Sequence, residues 1–406
     1  MNYDVAIVGG GASGLAAASF LGSLTVSSRK KFNICVIDKN ARLGKKLSAT
    51  GNGQGNVGNT SISPRNYHSA GPQNFRGGSV NMAYDIISRG QRAYETLFHG
   101  IFTADEKGRI YPAGRQASAL TDCLIKELAD HNVATFTGVK VTGIKKDGLF
   151  RLTLSDGKRI SAKYVLLCVG GKAQKQFGTD GSSYTLAEAF GHQITPLYPS
   201  LVQLKTDTTH IKTLRGIRVD CKITAVVDGK EVASSRGDVI FTEYGISGNA
   251  VFSVSPAFAG KTGEVVIEFA PDISFETLRR DVLDKQKLGY AESELLTLTL
   301  NNQIGRAIIK RAASAKPEDI ASMAKHFTLN VTGTLGFDYA QVTHGGVDMR
   351  FVTDELESKL CKNLFFAGEV LDIDGDCGGY NLTWAFASAW HVALAIASRE
   401  ALSEGV

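Results

Sequence analysis

The residues that most constrain this chain lie at its start. An apolar run at residues 4–8 leads into Gly9, Gly11 and Gly14 in G-x-G-x-x-G spacing, followed by "LAAASFLGSL" and then "NICVIDK", whose strand ends in Asp38. That order predicts a strand, a tight turn, a helix packed closely on a sheet, and a second strand with a carboxylate at its tip. Such a βαβ unit lays a pyrophosphate on the helix N-terminus, here Ala12 and Ser13, and offers a ribose diol a carboxylate. Glycine spacing alone is common, but bracketed by strand, helix and strand with a terminal acid it is specific. Asp38 arrives later than the usual roughly twenty residues, because "TVSSRKKF" lengthens the helix-to-strand turn. Lys39, next to the acid, is grouped with it as a nucleotide contact.

The rest of the chain limits what this unit can belong to. With 406 residues, 43% of them apolar, it is long enough for two or three domains. The net charge of +5 comes from 45 basic and 40 acidic residues, without the Lys/Arg runs of a nucleic-acid surface. The opening strand leaves no room for a targeting segment and is too short to span a bilayer, so a cytoplasmic protein with neither membrane nor nucleic-acid partners is expected. Six scattered cysteines show no CxxC and no zinc-like spacing, which predicts reduced, structural thiols. No metal site is expected.

The region "VATFTGVKVTGIKKDGLFRLTLSDGKRISAKYVLLCVGGKA" reads as a meander with DG turns, ending in a buried strand that runs into Gly170 and Gly171. Short strands follow to about residue 272, then a charge-rich helical stretch to about residue 329. "LFFAGEV" returns as an apolar strand ending at Gly368, before "LDIDGDCGGYN" and a terminal helix. The ends of the chain resemble each other and the middle does not. This predicts an α/β nucleotide domain formed from 1–192 and 335–406, interrupted by a β-rich insertion at 193–273 and a helical one at 274–334.

A family resemblance is carried by "VAIVGGGASGLAAA", "VIDKNARLGKKLSATGNG", "GRIYPAGRQASAL", "FTEYGISG", "VTHGGV", "LESK" and "NLFFAGEVLDIDGDCGGYNLTWAFASAW". In this order, over nearly the whole chain, they resemble the bacterial flavoproteins called the aminoacetone oxidase or BaiN-like family of NAD(P)/FAD-dependent oxidoreductases. The resemblance implies a two-dinucleotide-binding-type, Rossmann-like FAD domain with a β-barrel and a helical insertion, and a non-covalent FAD. It leaves open amine oxidation with oxygen and NAD(P)H-driven reduction of an unsaturated substrate. Relatives carry an arginine and a cysteine where this chain has Gln54 and Gly55, and a proline where it has Asn249.

"LGKKLSATGNGQGNVGN" follows Asp38 closely and has no strand before its glycines, so it extends the first site instead of opening a second. Gly51, Asn52, Gly53 and Asn56 suit a backbone that passes close to a ligand, and Lys45 and Lys46 are placed to neutralise a pyrophosphate. Val141, Gly170 and Gly171 complete the expected contacts in the meander. Near the C-terminus, Gly368 ends a strand and Glu369 is placed to reach a ribityl or ribose hydroxyl. The terminal helix begins beside Gly379, Tyr380, Asn381 and Leu382, and its unpaired N–H groups would stabilise the negative charge of a reduced flavin.

Asp372, Asp374 and Asp376 alternate like the start of a calcium loop, but Gly375 falls between the carboxylates and Thr383 occupies the twelfth position. There is no G-x-S-x-G elbow, HExxH or P-loop. That suits an enzyme whose cofactor carries the chemistry while the protein orients a small-molecule substrate. His344 is the candidate proton donor and Tyr380 the candidate group beside the flavin, while Cys377 reads as a structural thiol and "FTEYGISG" as a barrel-edge loop facing the flavin. A flavin-binding regulatory protein is the alternative, and a flavoprotein acting on RNA lacks its basic, aromatic-interleaved surface.

Overall fold

The computed structural model describes residues 1–24, 31–72 and 78–403, so most of "TVSSRKKF" lies outside the described residues. Two compact units divide the chain, Met1–Leu197 with Val342–Val406 and Tyr198–Gln341. Among the described residues, no helix is long and apolar enough to cross a membrane.

In the first unit the βαβ opening is β1 (Asn2–Val8), α1 (Ala12–Ser23) and β2 (Ile34–Asp38). The short β3 (Gly58–Asn59) and β4 (Tyr67–His68) follow, then α2 (Ser79–Gly90), α3 (Ala93–Leu97), β5 (Phe102–Ala104), β6 (Arg109–Pro112) and α4 (Ala117–Asp130). The meander comprises β7 (Ala134–Thr137), β8 (Val141–Asp147), β9 (Leu149–Leu154) and β10 (Arg159–Leu167), with a short α5 (Thr185–Glu188) after it. The main sheet runs β7-β2-β1-β10-β9-β8. Its β7-β2-β1-β10 part is parallel and its β10-β9-β8 edge is antiparallel. Val5, Ala6 and Ile7 are wholly buried, as a strand covered on both faces requires. Ala16, Ala17 and Ala18 are equally buried and let α1 lie close to the sheet.

The second unit holds β11 (Tyr198–Ser200), β12 (Leu204–Thr206), β13 (Arg218–Val227), β14 (Lys230–Phe241), β15 (Gly245–Ser247), α6 (Asn249–Val254) and β16 (Gly263–Glu268). Then come α7 (Phe275–Lys287), α8 (Asn302–Ala312), α9 (Pro317–Lys325) and β17 (Phe327–Thr334). A closed barrel is formed in the order β12-β15-β14-β13-β16-β17. β17 lies inside the span read as purely helical, and without it β12 and β16 would lose the strand that joins them. Phe241 and Phe327 of the barrel, and Phe269 just after β16, share one apolar core with Leu278, Ile304 and Ile320 of the helices. The barrel and the helices are therefore a single unit, not two successive insertions. "FTEYGISG" forms the end of β14 and β15, and Asn249 begins α6.

The unit boundaries also differ from those read in the sequence, for a hydrogen-bonding reason. Thr195 donates its N–H to Gly346 O and accepts from Gly346 N, which ties residues up to 197 to the first unit. Leu335 and Gln341 donate to Gln203 O and Leu201 O, which ties residues 335–341 to the second.

The chain returns to the first unit with β18 (Val342–His344), β19 (Leu364–Phe366), β20 (Asp374–Gly375) and α10 (Tyr380–Ser403). β19 joins the main sheet parallel to β10, with Val165 opposite Leu364, and so ends at the same edge as β1. β20 pairs antiparallel with β4, placing Asp374 opposite His68.

Candidate functional site

Where β1 ends, the glycines are required by close packing. Gly9 has φ +105°, and a Cβ there would fall 2.2 Å from Cys168 O; one at Gly14 would fall 1.8 Å from Gly9 O. Gly11 is different, because a Cβ there would meet nothing within 4 Å. Open space thus borders the first turn of α1, where Ala12, Ser13 and Gly14 carry the N–H groups that no helical carbonyl can reach. At the tip of β2, Asp38 accepts from Gly10 N and from Asn40 N, both at 2.7 Å. The acid holds the glycine turn in place, and its remaining lone pairs are the ones a ribose diol would meet. Lys39 pairs with Asp180 at 2.9 Å, which, against the cost of burial, holds the Asp180 carboxyl well below the usual range.

The glycine- and asparagine-rich loop takes left-handed backbone at Gly51, Asn52, Gly53 and Gly55. Asn56 instead is buried and, in the amide orientation that satisfies its neighbours, donates to Ile110 O and Gly58 O and accepts from Gly379 N. It ties the loop to the start of α10. Lys45 is exposed, whereas Lys46 pairs with Glu369 at 3.0 Å. Two residues expected to face the cofactor separately are thus partners. Glu369 also accepts from Thr343 N at 2.9 Å. Gln54 accepts from Arg115, in the segment before α4, at 3.2 Å.

The meander contributes by position. Val139 donates to Asp38 O, and Val141 is buried just beyond it. Gly170 has φ +70°, and a Cβ at Gly171 would crowd Thr343 Oγ1 at 2.5 Å and Glu369 Oε1 at 3.0 Å. Gly368, with φ +77°, lies so close to α1 that a Cβ would fall 2.6 Å from Ser13 Oγ. Residues from both ends of the chain therefore meet at the carboxyl edge of one sheet, where open α/β sheets bind ligands.

The C-terminal block is organised by its three acids. Fully buried Asp372 accepts from Ser69 Oγ, Ala70 N and Gly71 N, and burial nevertheless pushes its carboxyl up to about 6. Asp374, also fully buried, binds His344 Nδ1 at 2.7 Å. Asp376 binds His68 Nε2 at 2.8 Å and accepts from Asn66 Nδ2 at 3.1 Å. Burial opposes charge on both histidines, but the hydrogen bonds and carboxylate fields outweigh it and raise both above the ordinary imidazole value. Asn381 exchanges hydrogen bonds with Gly375 N and O and closes the acid segment onto α10. Tyr380 is buried edge-on to Tyr67, centroids 6.0 Å apart, and Leu382 is half-buried.

Two side chains escaped the sequence reading. His68 is a lone histidine in "NYHS", with no spacing that links it to residue 376. Tyr184 is buried, lies in the field of Glu369 and Asp372, and its hydroxyl has no hydrogen-bond partner among the described residues. An unpartnered buried hydroxyl, open space at Gly11, a carboxylate at the tip of β2 and a second helix start at Gly379 together fit a dinucleotide that ends in a flavin. The α1 turn would hold its pyrophosphate, Asp38 a ribose, and the α10 N-terminus the side of the ring where charge collects on reduction. When bound, FAD supplies the hydride-exchanging ring; the chain supplies orientation and protons.

The family profile described as the HI0933-like protein Rossmann domain matches residues 3–395. The chain is 34% identical to the 3-dehydro-bile acid delta(4,6)-reductase of Clostridium scindens, over 97% of this chain and 99% of that one. It is 27% identical to the ribosomal RNA dihydrouridine synthase of Escherichia coli, over 96% of each. Among solved structures, the 3-ketosteroid-delta4-(5alpha)-dehydrogenase of Rhodococcus jostii RHA1 shares the fold at a TM-score of 0.50 and 16% identity, covering 98% of this chain and 97% of that one. Profile and relatives span the chain from end to end, and on that ground it belongs to the HI0933-like Rossmann flavoproteins and is an FAD-dependent oxidoreductase.

Proposed function

We propose that this enzyme reduces a carbon–carbon double bond conjugated to a carbonyl in a small organic molecule, with NAD(P)H as transient reductant and His344 as proton donor. The observation that carries the reading is His344 held by buried Asp374 on the strand that leads into α10. Saturating such a bond adds a hydride at one carbon and a proton at its neighbour, and an imidazole whose charged form is favoured by the carboxylate beside it is suited to the second task. Both curated relatives are named for chemistry of this kind, since dihydrouridine is uridine with its carbonyl-conjugated double bond saturated.

The greater identity to the bile-acid reductase favours a small hydrophobic enone. Uridine in ribosomal RNA is the second reading and rests on the more distant relative. A cytoplasmic setting suits both the nicotinamide supply and six unpaired thiols. The deciding experiment is anaerobic absorbance of the FAD-loaded protein. NADPH or NADH is expected to bleach the flavin band, and an enone such as 2-cyclohexenone or a 4-en-3-one steroid to restore it. Bleaching by small amines with no response to nicotinamides would support amine oxidation instead. Restoration by ribosomal RNA but by no enone would favour the RNA reading.

A further inference from the structure

Beside the pair assigned to proton donation there is a second, less buried one, and the strand pairing sets the two side by side. β4 and β20 put His68 directly opposite Asp374, whose carboxylate holds His344. His68 is in turn held by Asp376, two residues along the same acid segment. The charges facing His68 are Asp376 and Asp374; those facing His344 are Asp374, Asp372 and His68 itself. The His68 side chain is 33% exposed and that of His344 15%, while the Asp374 carboxylate between them is fully buried.

A donor less exposed than its neighbouring histidine has a supply problem. When His344 gives its proton to the substrate carbon, an N–H bond breaks, a C–H bond forms, and a neutral imidazole remains in a half-closed site. It cannot act again until an N–H bond forms anew. The geometry points to His68 as the relay residue that reloads His344 from solvent. Its own N–H breaks as that of His344 reforms, directly or through one water, and it then takes a proton from bulk water. Asp376 orients it and Asp374 steadies the positive charge while it passes. This rests on the reading of His344 as donor; His68 acts through it and does not touch the substrate.

The test uses FAD-loaded protein labelled with ¹⁵N at histidine, following solvent exchange of the His344 ring protons by NMR, which requires no turnover. His68→Gln is expected to slow that exchange about tenfold or more, and millimolar imidazole to restore it while flavin content stays unchanged. Asp376→Asn retains the imidazole but frees its orientation, and is expected to slow exchange less; it decides the matter if the glutamine variant does not fold. Unchanged exchange in these variants, or slow exchange that imidazole does not restore, would overturn the relay. A turnover arm with NADPH and 2-cyclohexenone adds a separate check: in His68→Gln, kcat should fall and recover with imidazole at constant KM. A wild-type protein that ignores every enone would sink the functional reading alone, since the exchange result stands apart from it.

Discussion

Lys46 Nζ lies 3.0 Å from Glu369 Oε2, an ion pair across 323 positions of sequence that joins the glycine-rich loop to the end of the returning strand. Each side chain is about one-fifth exposed, so neither is as cheap to leave alone as a surface charge. Glu369→Gln should lower stability by about 1–2 kcal/mol, between the values for surface and buried pairs. Adding Lys46→Met should cost less than the sum of the two single changes. A double-mutant cycle from urea unfolding that came out additive would show that the pair is not coupled.

Gly11→Val should separate folding from cofactor binding. The new side chain would meet no protein atom near its Cβ, so the fold should survive while the pyrophosphate path is blocked. A colourless protein with near-wild-type thermal unfolding is expected. By contrast, Gly14→Val should not fold, because its Cβ would collide with Gly9 O.

Asp38→Ala removes both the diol acceptor and the bonds to Gly10 N and Asn40 N. Loss of FAD affinity of about 1–3 kcal/mol is expected, read by equilibrium dialysis. Retention of wild-type affinity would show that another group holds the ribose.

Tyr184→Phe tests the unpartnered hydroxyl. Since nothing among the described residues bonds it, removing it should leave the thermal midpoint of the flavin-free protein unchanged or slightly higher. Flavin retention on gel filtration should fall if that hydroxyl meets the cofactor.

The His344–Asp374 pair sets a pH dependence. Burial disfavours the imidazolium, the Asp374 hydrogen bond and field overcome this, and the folded-state value lies above the ordinary 6.5. A group raised on folding contributes stability that is complete below its unfolded value and is lost as pH rises through the folded one. Wild type should therefore exceed Asp374→Asn in thermal stability by more at pH 6 than at pH 9. Turnover limited by proton donation should fall on the alkaline side of the raised value, and the fall should move to lower pH in Asp374→Asn.

Some of this was legible in the sequence because local rules decide it. The turn at Gly9–Gly14 permits few backbones, the run at residues 4–8 must be buried on both faces, and Asp38 at a strand tip has few other uses. The returning "LFFAGEV" strand was readable for the same reason of unbroken apolarity. β17 was not, since its short alternation follows three helices without a turn signal, and only closure of the barrel makes it a strand.

The sequence by itself determined the nucleotide-binding βαβ unit, the return of the chain to that unit and the start of α10, because spacing and apolar periodicity act over a few residues. Only the tertiary structure decided that Lys46 meets Glu369, that Asn56 caps the approach to Gly379, and that His68 faces the acid holding His344. Those pairings join residues some 300 positions apart, as between His68 and Asp376 with a separation of 308. Their partners are chosen by sheet register and by where buried charge can be matched, neither of which any local stretch of the chain encodes.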